Sequence, residues 1–95
     1  MYSVVEDRDF LRSYLKLARS GKLKPRVRTE LERVVEMLRM RKPLAVHNRD
    51  HALQGEWKGY RECHIRGDLL LVYEVHDDVL ILVLVDIGSH SEVFG

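Results

Sequence analysis

Three rhythms of apolar and polar positions divide the chain. YSVV, residues 2–5, reads as a short strand. From Phe10 the apolar positions Phe10, Leu11, Tyr14, Leu15 and Ala18 recur at three- and four-residue spacing, which predicts a helix capped by Asp7 or Asp9 and ended by Ser20-Gly21. Pro25 suits the first turn of a second helix, in which Val27, Leu31, Val34, Val35 and Leu38 form the buried stripe and Arg28, Glu32, Arg33, Glu36 and Arg39 face outward. Pro43 closes it. Two such helices joined by a few residues predict an antiparallel hairpin.

Between Leu44 and Gly59 no period is visible, and the segment reads as a polar loop. Strand-like runs follow: YRECHI, then LLLVYEV after Arg66-Gly67, then VLILVLVDI after Asp77-Asp78. Both turns are short enough for antiparallel hairpins. The last run is apolar at nearly every position, as in a central strand covered on both sides. The order β-α-α-β-β-β predicts an α+β fold, an antiparallel sheet with the helix hairpin packed on one face. At 95 residues the chain fits one domain, 1–95, without repeats or linkers.

Composition narrows the classes. Hydrophobic residues make up 45% and charged residues 33%, which is a globular balance. No apolar run approaches the ~20 residues that span a bilayer, and the acidic N-terminus lacks signal-peptide order, so the expected partners do not include a membrane. The single cysteine, Cys63, excludes an internal disulfide and suits a reducing cytoplasm. The net charge of +1 hides an asymmetry. Residues 8–42 carry twelve Lys or Arg against four acids, whereas residues 68–95 carry six acids and no Lys or Arg. A basic half of this kind points to an anionic partner.

Five histidines offer chemistry. His47 and His51 have the i, i+4 spacing of a helical zinc pair, but Pro43 and the missing apolar stripe argue against a helix there, and there is no cysteine pair. The residues are therefore read without metal or cofactor. In CHIRGDLL, His64 and Asp68 flank a turn and could meet across the hairpin. Imidazole titrates at about 6.5 and can exchange protons near neutrality. Lys58, Arg61 and Arg66 lie in the same stretch and could hold a phosphate. Imidazoles, a carboxylate and guanidinium groups suit cleavage of RNA through its own 2′-hydroxyl. Trp57 and Tyr60 read as anchors of the loop to the core, and Tyr73 as core.

The segment DHALQGEWKGYRECHIRGDLLLVYEV, residues 50–75, contains the pattern DH-x-L-x-G-x-W-x-G-x-R-x-x-H followed by D-x-x-L-x-Y, and the chain ends in G-S-H-x-x-x-F. These motifs resemble the YafQ branch of the RelE/ParE toxins of bacterial toxin–antitoxin systems. The resemblance implies a ribosome-dependent endoribonuclease that cuts mRNA in the A site, bounded by ribosomal RNA, and needs no cofactor. It implies a catalytic set at His51, His64, Asp68 and His90, with His90 as general acid and Phe94 positioning substrate. It also implies a phosphate contact at Arg61 and, more loosely, at Lys58 and Arg66. A cognate antitoxin is the expected protein partner, and the pair would bind operator DNA. Two alternatives within the fold are a toxin acting without RNA cleavage, such as a gyrase inhibitor, and an inactive antitoxin-binding co-repressor. A ribosome binder is expected to be basic, so a nearly neutral chain must gather its cations on one face.

Overall fold

A computed structural model describes all residues, Met1–Gly95. The predicted elements form, with two additions. The order is β1 (Ser3–Glu6), α1 (Arg8–Arg19), α2 (Pro25–Arg39), β2 (His51–Ala52), β3 (Arg61–Arg66), β4 (Leu69–His76), β5 (Ile81–Gly88) and α3 (His90–Phe94). Single 3-10 turns at Val46–Asn48 and Gly55–Trp57 break up the loop. The five strands form one sheet in the order β1-β5-β4-β3-β2. All neighbours are antiparallel except β1 and β5, which are parallel because the helix hairpin carries the chain across the sheet between them. The fold is thus the expected α+β hairpin-on-sheet, with a parallel edge pair.

Capping chemistry sets the helix bounds. The Asp7 carboxylate accepts from the Arg8 N–H at 2.6 Å and starts α1. Gly21, at φ 76°, takes the left-handed position that ends it, and Lys22 N–H donates to the Leu17 carbonyl at 3.2 Å. Pro25 occupies the first turn of α2. That helix stops at Arg39, before Pro43, because Arg41 turns left-handed at φ 61° and Lys42 N–H caps the Met37 carbonyl at 2.9 Å.

The stripe of α2 is the expected one: Leu31, Val34 and Leu38 are buried. On α1 the buried face is rotated. Phe10 and Leu17 are buried, whereas Leu11, Leu15 and Ala18 are exposed. Ser13 on that face donates to Asp86 of β5 at 2.7 Å, so one polar bond sits where an all-apolar stripe would have been. Both helices cover the sheet face that carries Cys63, Ile65, Leu71, Tyr73, Leu82, Leu84 and Ile87. Cys63 is fully buried in this core, and burial, with the charges of Asp50 and Glu62 adding, pushes its thiol up to about 12. It is a packing residue and not a thiolate.

Strand alternation puts Glu62, His64, Leu70 and Val72 on the other face. This face lacks a helix hairpin. Its Leu70 and Val72 are nevertheless buried, and α3 lies over its Gly88 end, where an added Cβ would meet Glu92 and Val93 at 3.3–3.4 Å. A larger residue at Gly88 would therefore have to push these side chains aside by a few tenths of an ångström.

Candidate active site

The register of the short edge pair builds the centre of the site. His51 of β2 lies directly opposite Glu62 of β3, and Glu62 shares its face with His64 two residues on. One Glu62 carboxylate oxygen, Oε1, stands 3.5 Å from His51 Nε2 and 3.7 Å from His64 Nε2. Glu62 is 6% exposed, so its charge faces two imidazoles and little water. The His51 Nδ1 contacts the Arg49 carbonyl at 2.7 Å. A carbonyl only accepts, so Nδ1 carries a proton, and in the neutral ring Nε2 is the nitrogen free to take one.

His64 and Asp68 do not pair across the β3–β4 turn, contrary to expectation; no hydrogen bond or ion pair joins them, and Glu62 is the carboxylate beside His64. A β-bulge between His64 and Arg66 shifts the register there. They nevertheless line one open groove of about 850 Å³, together with His47, Arg49 and Arg66.

Arg61 sits on the opposite side of β3 from His64. There it donates through Nε to the Tyr73 hydroxyl at 3.1 Å and pairs with Asp50 at 3.4 Å, while the Tyr73 hydroxyl donates to the other Asp50 oxygen. Burial and the Asp50 hydrogen bond hold the Tyr73 hydroxyl well above its ordinary range. The structure thus uses Arg61 to clamp the residue before His51, and does not bring it to the His51–Glu62–His64 face. Lys58 is exposed after the Gly55–Trp57 turn.

A second clamp holds His64 from below. Asn48 is fully buried and donates to the His64 carbonyl at 2.8 Å and to Glu30 at 3.1 Å, while accepting from Arg33 at 2.8 Å. His47, expected as loop surface, also reaches Glu30, at 3.1 Å. The Arg33 guanidinium, with Asn48 and His47 adding, holds the Glu30 carboxyl down to about 2 against desolvation. Because this folded value is depressed, its stabilisation is complete above the unfolded value near 4.5 and is lost as pH falls toward 2. Glu30→Gln should therefore lower stability near neutrality by about 1–3 kcal/mol and flatten the acid limb between those values. Unfolding titrations at pH 7 and pH 3 measure both; a variant with an unchanged acid limb would contradict the clamp.

The C-terminal segment, given no element in the sequence pattern, is helical. Ser89 and Glu92 form a capping box: Ser89 N–H donates to Glu92 Oε1 at 2.8 Å, and Glu92 N–H donates to the Ser89 hydroxyl at 3.3 Å. These bonds hold the Glu92 carboxyl below its usual range. The helix carries His90 exposed at its first position and sets the Phe94 ring 5.0 Å from the His90 ring, tilted by 50°. Phe94 in turn meets Trp57 edge-on at 5.0 Å, and Trp57 meets Tyr60 at 5.5 Å. Trp57 therefore anchors α3 as well as its own loop. Ser89 and Glu92 share a groove with Asp68 and Arg66, which brings the first turn of α3 beside the turn that follows His64. No group of three or more His, Cys, Asp or Glu side chains is arranged to hold a metal ion.

The model of the family described as the bacterial toxin of type II toxin–antitoxin systems, YafQ, matches residues 2–95. The chain belongs to the YafQ toxin family. Among relatives, the mRNA interferase toxin YafQ of Escherichia coli K12 is 42% identical over 53 residues, 56% of this chain. The matched segments span 55–59% of the length of the curated relatives. Among solved structures, a copper-bound mutant toxin from Helicobacter pylori is 40% identical with a TM-score of 0.88, covering 99% of this chain and all of that one. The toxin in the Escherichia coli DinJ–YafQ complex is 29% identical with a TM-score of 0.81, each chain covering all of the other. Family membership fits the whole chain, from β1 to α3.

Glu62, Asn48 and Trp57 are the members that sequence reasoning did not single out for the site. Glu62 had a usable signal, since it sits two residues before His64 and a strand places such residues on one face. Asn48 and Trp57 act through tertiary contacts that carry no local signature.

Proposed function

We propose that this protein is the toxin of a type II toxin–antitoxin pair and cleaves mRNA in the ribosomal A site, inside the bacterial cytoplasm. The observation that carries the reading is the pair of imidazoles held around one shielded carboxylate on the sheet face away from the helix hairpin, with a third imidazole exposed on the short helix α3. The relatives named mRNA interferase and the DinJ–YafQ complex support it. By the same likeness the partner is an antitoxin, and the complex of the two binds operator DNA.

The chemistry follows from which nitrogen can accept a proton. His51 Nε2 takes the proton of a 2′-hydroxyl, and the 2′-oxygen attacks the adjacent phosphorus. Glu62 then faces the imidazolium that has formed and His64 stands on the same carboxylate, so positive charge builds where the phosphorane gathers negative charge. The P–O5′ bond breaks as His90 protonates the leaving oxygen. Asp68 and Arg66 border the groove at the scissile phosphate, Lys58 contributes a further cation, and Phe94 packs beside a base. The products are a 2′,3′-cyclic phosphate and a 5′-hydroxyl. Arg61 acts at one remove, by fixing Asp50 and hence His51.

End-group analysis of RNA cut on programmed ribosomes tests this directly. Fragments should carry 5′-hydroxyl ends that a kinase labels without prior phosphatase treatment. Fragments bearing 5′-phosphates would contradict attack by the 2′-oxygen.

Trp57 should matter to catalysis through the placement of α3 and of its own loop. Trp57→Ala should lower kcat by about 10- to 100-fold, because displacing a catalytic group by about 1 Å costs that much, with KM changing less. Trp57→Phe should restore most of it. The chain has one tryptophan, so its fluorescence reports α3 docking and should change in Phe94→Leu. Equal kcat in Trp57→Ala and wild type would separate Trp57 from catalysis.

A further inference from the structure

Five cations lie together without partners. Eleven of the sixteen Lys and Arg side chains have no carboxylate within 4.0 Å, the paired ones being Arg12, Arg33, Arg39, Arg41 and Arg61. Five of the eleven, Lys22, Lys24, Arg26, Arg49 and Arg66, border three adjoining grooves that share Arg66. One groove joins Arg66 to Arg49 and His64, one to Arg26, and one, of about 570 Å³, to Lys22 and Lys24 at the α1–α2 turn. The acids along this path are committed elsewhere: Glu30 to Arg33 and Asn48, and Glu92 to the α3 cap. Only Asp68 is uncommitted. Like charges gathered on a concave surface repel one another unless an anion enters, and such a surface raises the local concentration of that anion.

We infer that these grooves form a track for backbone phosphates of the message that flank the cut, running from the His64–Asp68 end past Arg66 to Lys22, Lys24 and Arg26. The inference rests on the nuclease reading and extends it to the flanking strand. Continuity decides the occupant: the groove that opens on His64 and Asp68 is the one that continues through Arg66 to the turn, so the strand being cut is the strand that enters it. Phosphates recognised in this way add affinity and direction but no sequence preference, because the contacts are to the backbone.

The test pairs a protein change with a message change. Lys22→Gln/Lys24→Gln/Arg26→Gln alters three exposed side chains outside the imidazole cluster. Binding is measured on ribosomes programmed with a message made uncleavable by a 2′-O-methyl group in the A-site codon. The flanking linkages are either natural or neutral methylphosphonates. On the natural message the triple variant should bind at least tenfold more weakly, with a log–log salt slope shallower by about 2, from three contacts at about 0.7 each on a single strand. On the neutral message the two proteins should bind within twofold of each other. The same loss on both messages would place these cations against ribosomal RNA and overturn the track. No loss on either message, or a loss confined to binding the antitoxin, would overturn it equally. Cleavage of an unmodified message by wild type is scored alongside, so a failed nuclease reading shows as absent cleavage whatever the binding result.

Discussion

His90→Ala should lower message cleavage by about 10²- to 10⁴-fold, the usual contribution of a positioned general acid, and leave the fold intact. His90 is exposed and α3 contains no fully buried residue, so the substitution removes chemistry and little packing. An exposed substitution of this kind changes stability by about 0.5 kcal/mol or less. Removing residues 90–95 altogether should give the same loss of activity. It should cost little more in stability, because the capping box and the Phe94–Trp57 contact stabilise α3 itself more than the sheet beneath. Single-turnover cleavage and a denaturant melt on the same preparation separate the two quantities. A variant that lost activity only in proportion to lost folded protein would remove His90 from the mechanism.

The second large effect should come from Asp50→Ala. This carboxylate is the only acceptor for the Tyr73 hydroxyl, which is 1% exposed, and it also pairs with Arg61. Deleting it leaves the buried phenol and the half-exposed Arg61 guanidinium without their anion. A hydrogen bond to a charged group contributes about 1.5–3 kcal/mol, against a total of about 5–10 kcal/mol for a chain of this size. The denaturant midpoint should fall accordingly. Tyr73→Phe should cost less, since Asp50 and Arg61 remain paired. Activity should drop further than folding in Asp50→Ala, because the next residue is His51 and its β2 register depends on that clamp. Equal stability of Asp50→Ala and wild type would show that the network holds nothing.

The helices and the three long strands were legible because each repeats a simple period over many residues. Elements that failed to show were too short to have one. β2 has two residues, and its existence depends on pairing with β3; α3 has five, below the length at which a helix is stable alone. Its signature was present in Ser89 and Glu92, a capping box spaced as such boxes are, but a polar tail hides it. Val79 and Leu80 extended the last strand on paper, yet Leu80 adopts φ 56° and both are exposed in the turn. Apolar character alone could not reveal that the chain reverses there.

For the site, the family motif grouped His51, His64, Asp68, His90 and Phe94, and the fold brings parts of that group together. One sheet face carries the first two, a shared groove links His64 to Asp68, and α3 carries the last two in mutual contact. What spacing could not resolve was the side of the strand. Arg61 and Glu62 are adjacent, but alternation sends one to the helix face and the other between two histidines. The cation therefore became a clamp and the unremarked acid became the centre of the cluster. The near-neutral total charge was equally uninformative. Five unpaired cations line the Arg66 grooves, whereas Asp77 and Asp78 lie in the β4–β5 turn and Glu32 and Glu36 border a groove on the helix side.

The central claim is that this fold cuts translated messages with His90 as proton donor. Mapping mRNA 5′ ends across the transcriptome after induction of wild type and of His90→Ala tests it most directly. Wild type should produce new ends phased to codons within reading frames, absent when translation initiation is blocked, and His90→Ala should produce none at equal protein level. Growth arrest by both proteins with no new ends from either would contradict the account and favour a toxin of this fold that acts without cutting RNA.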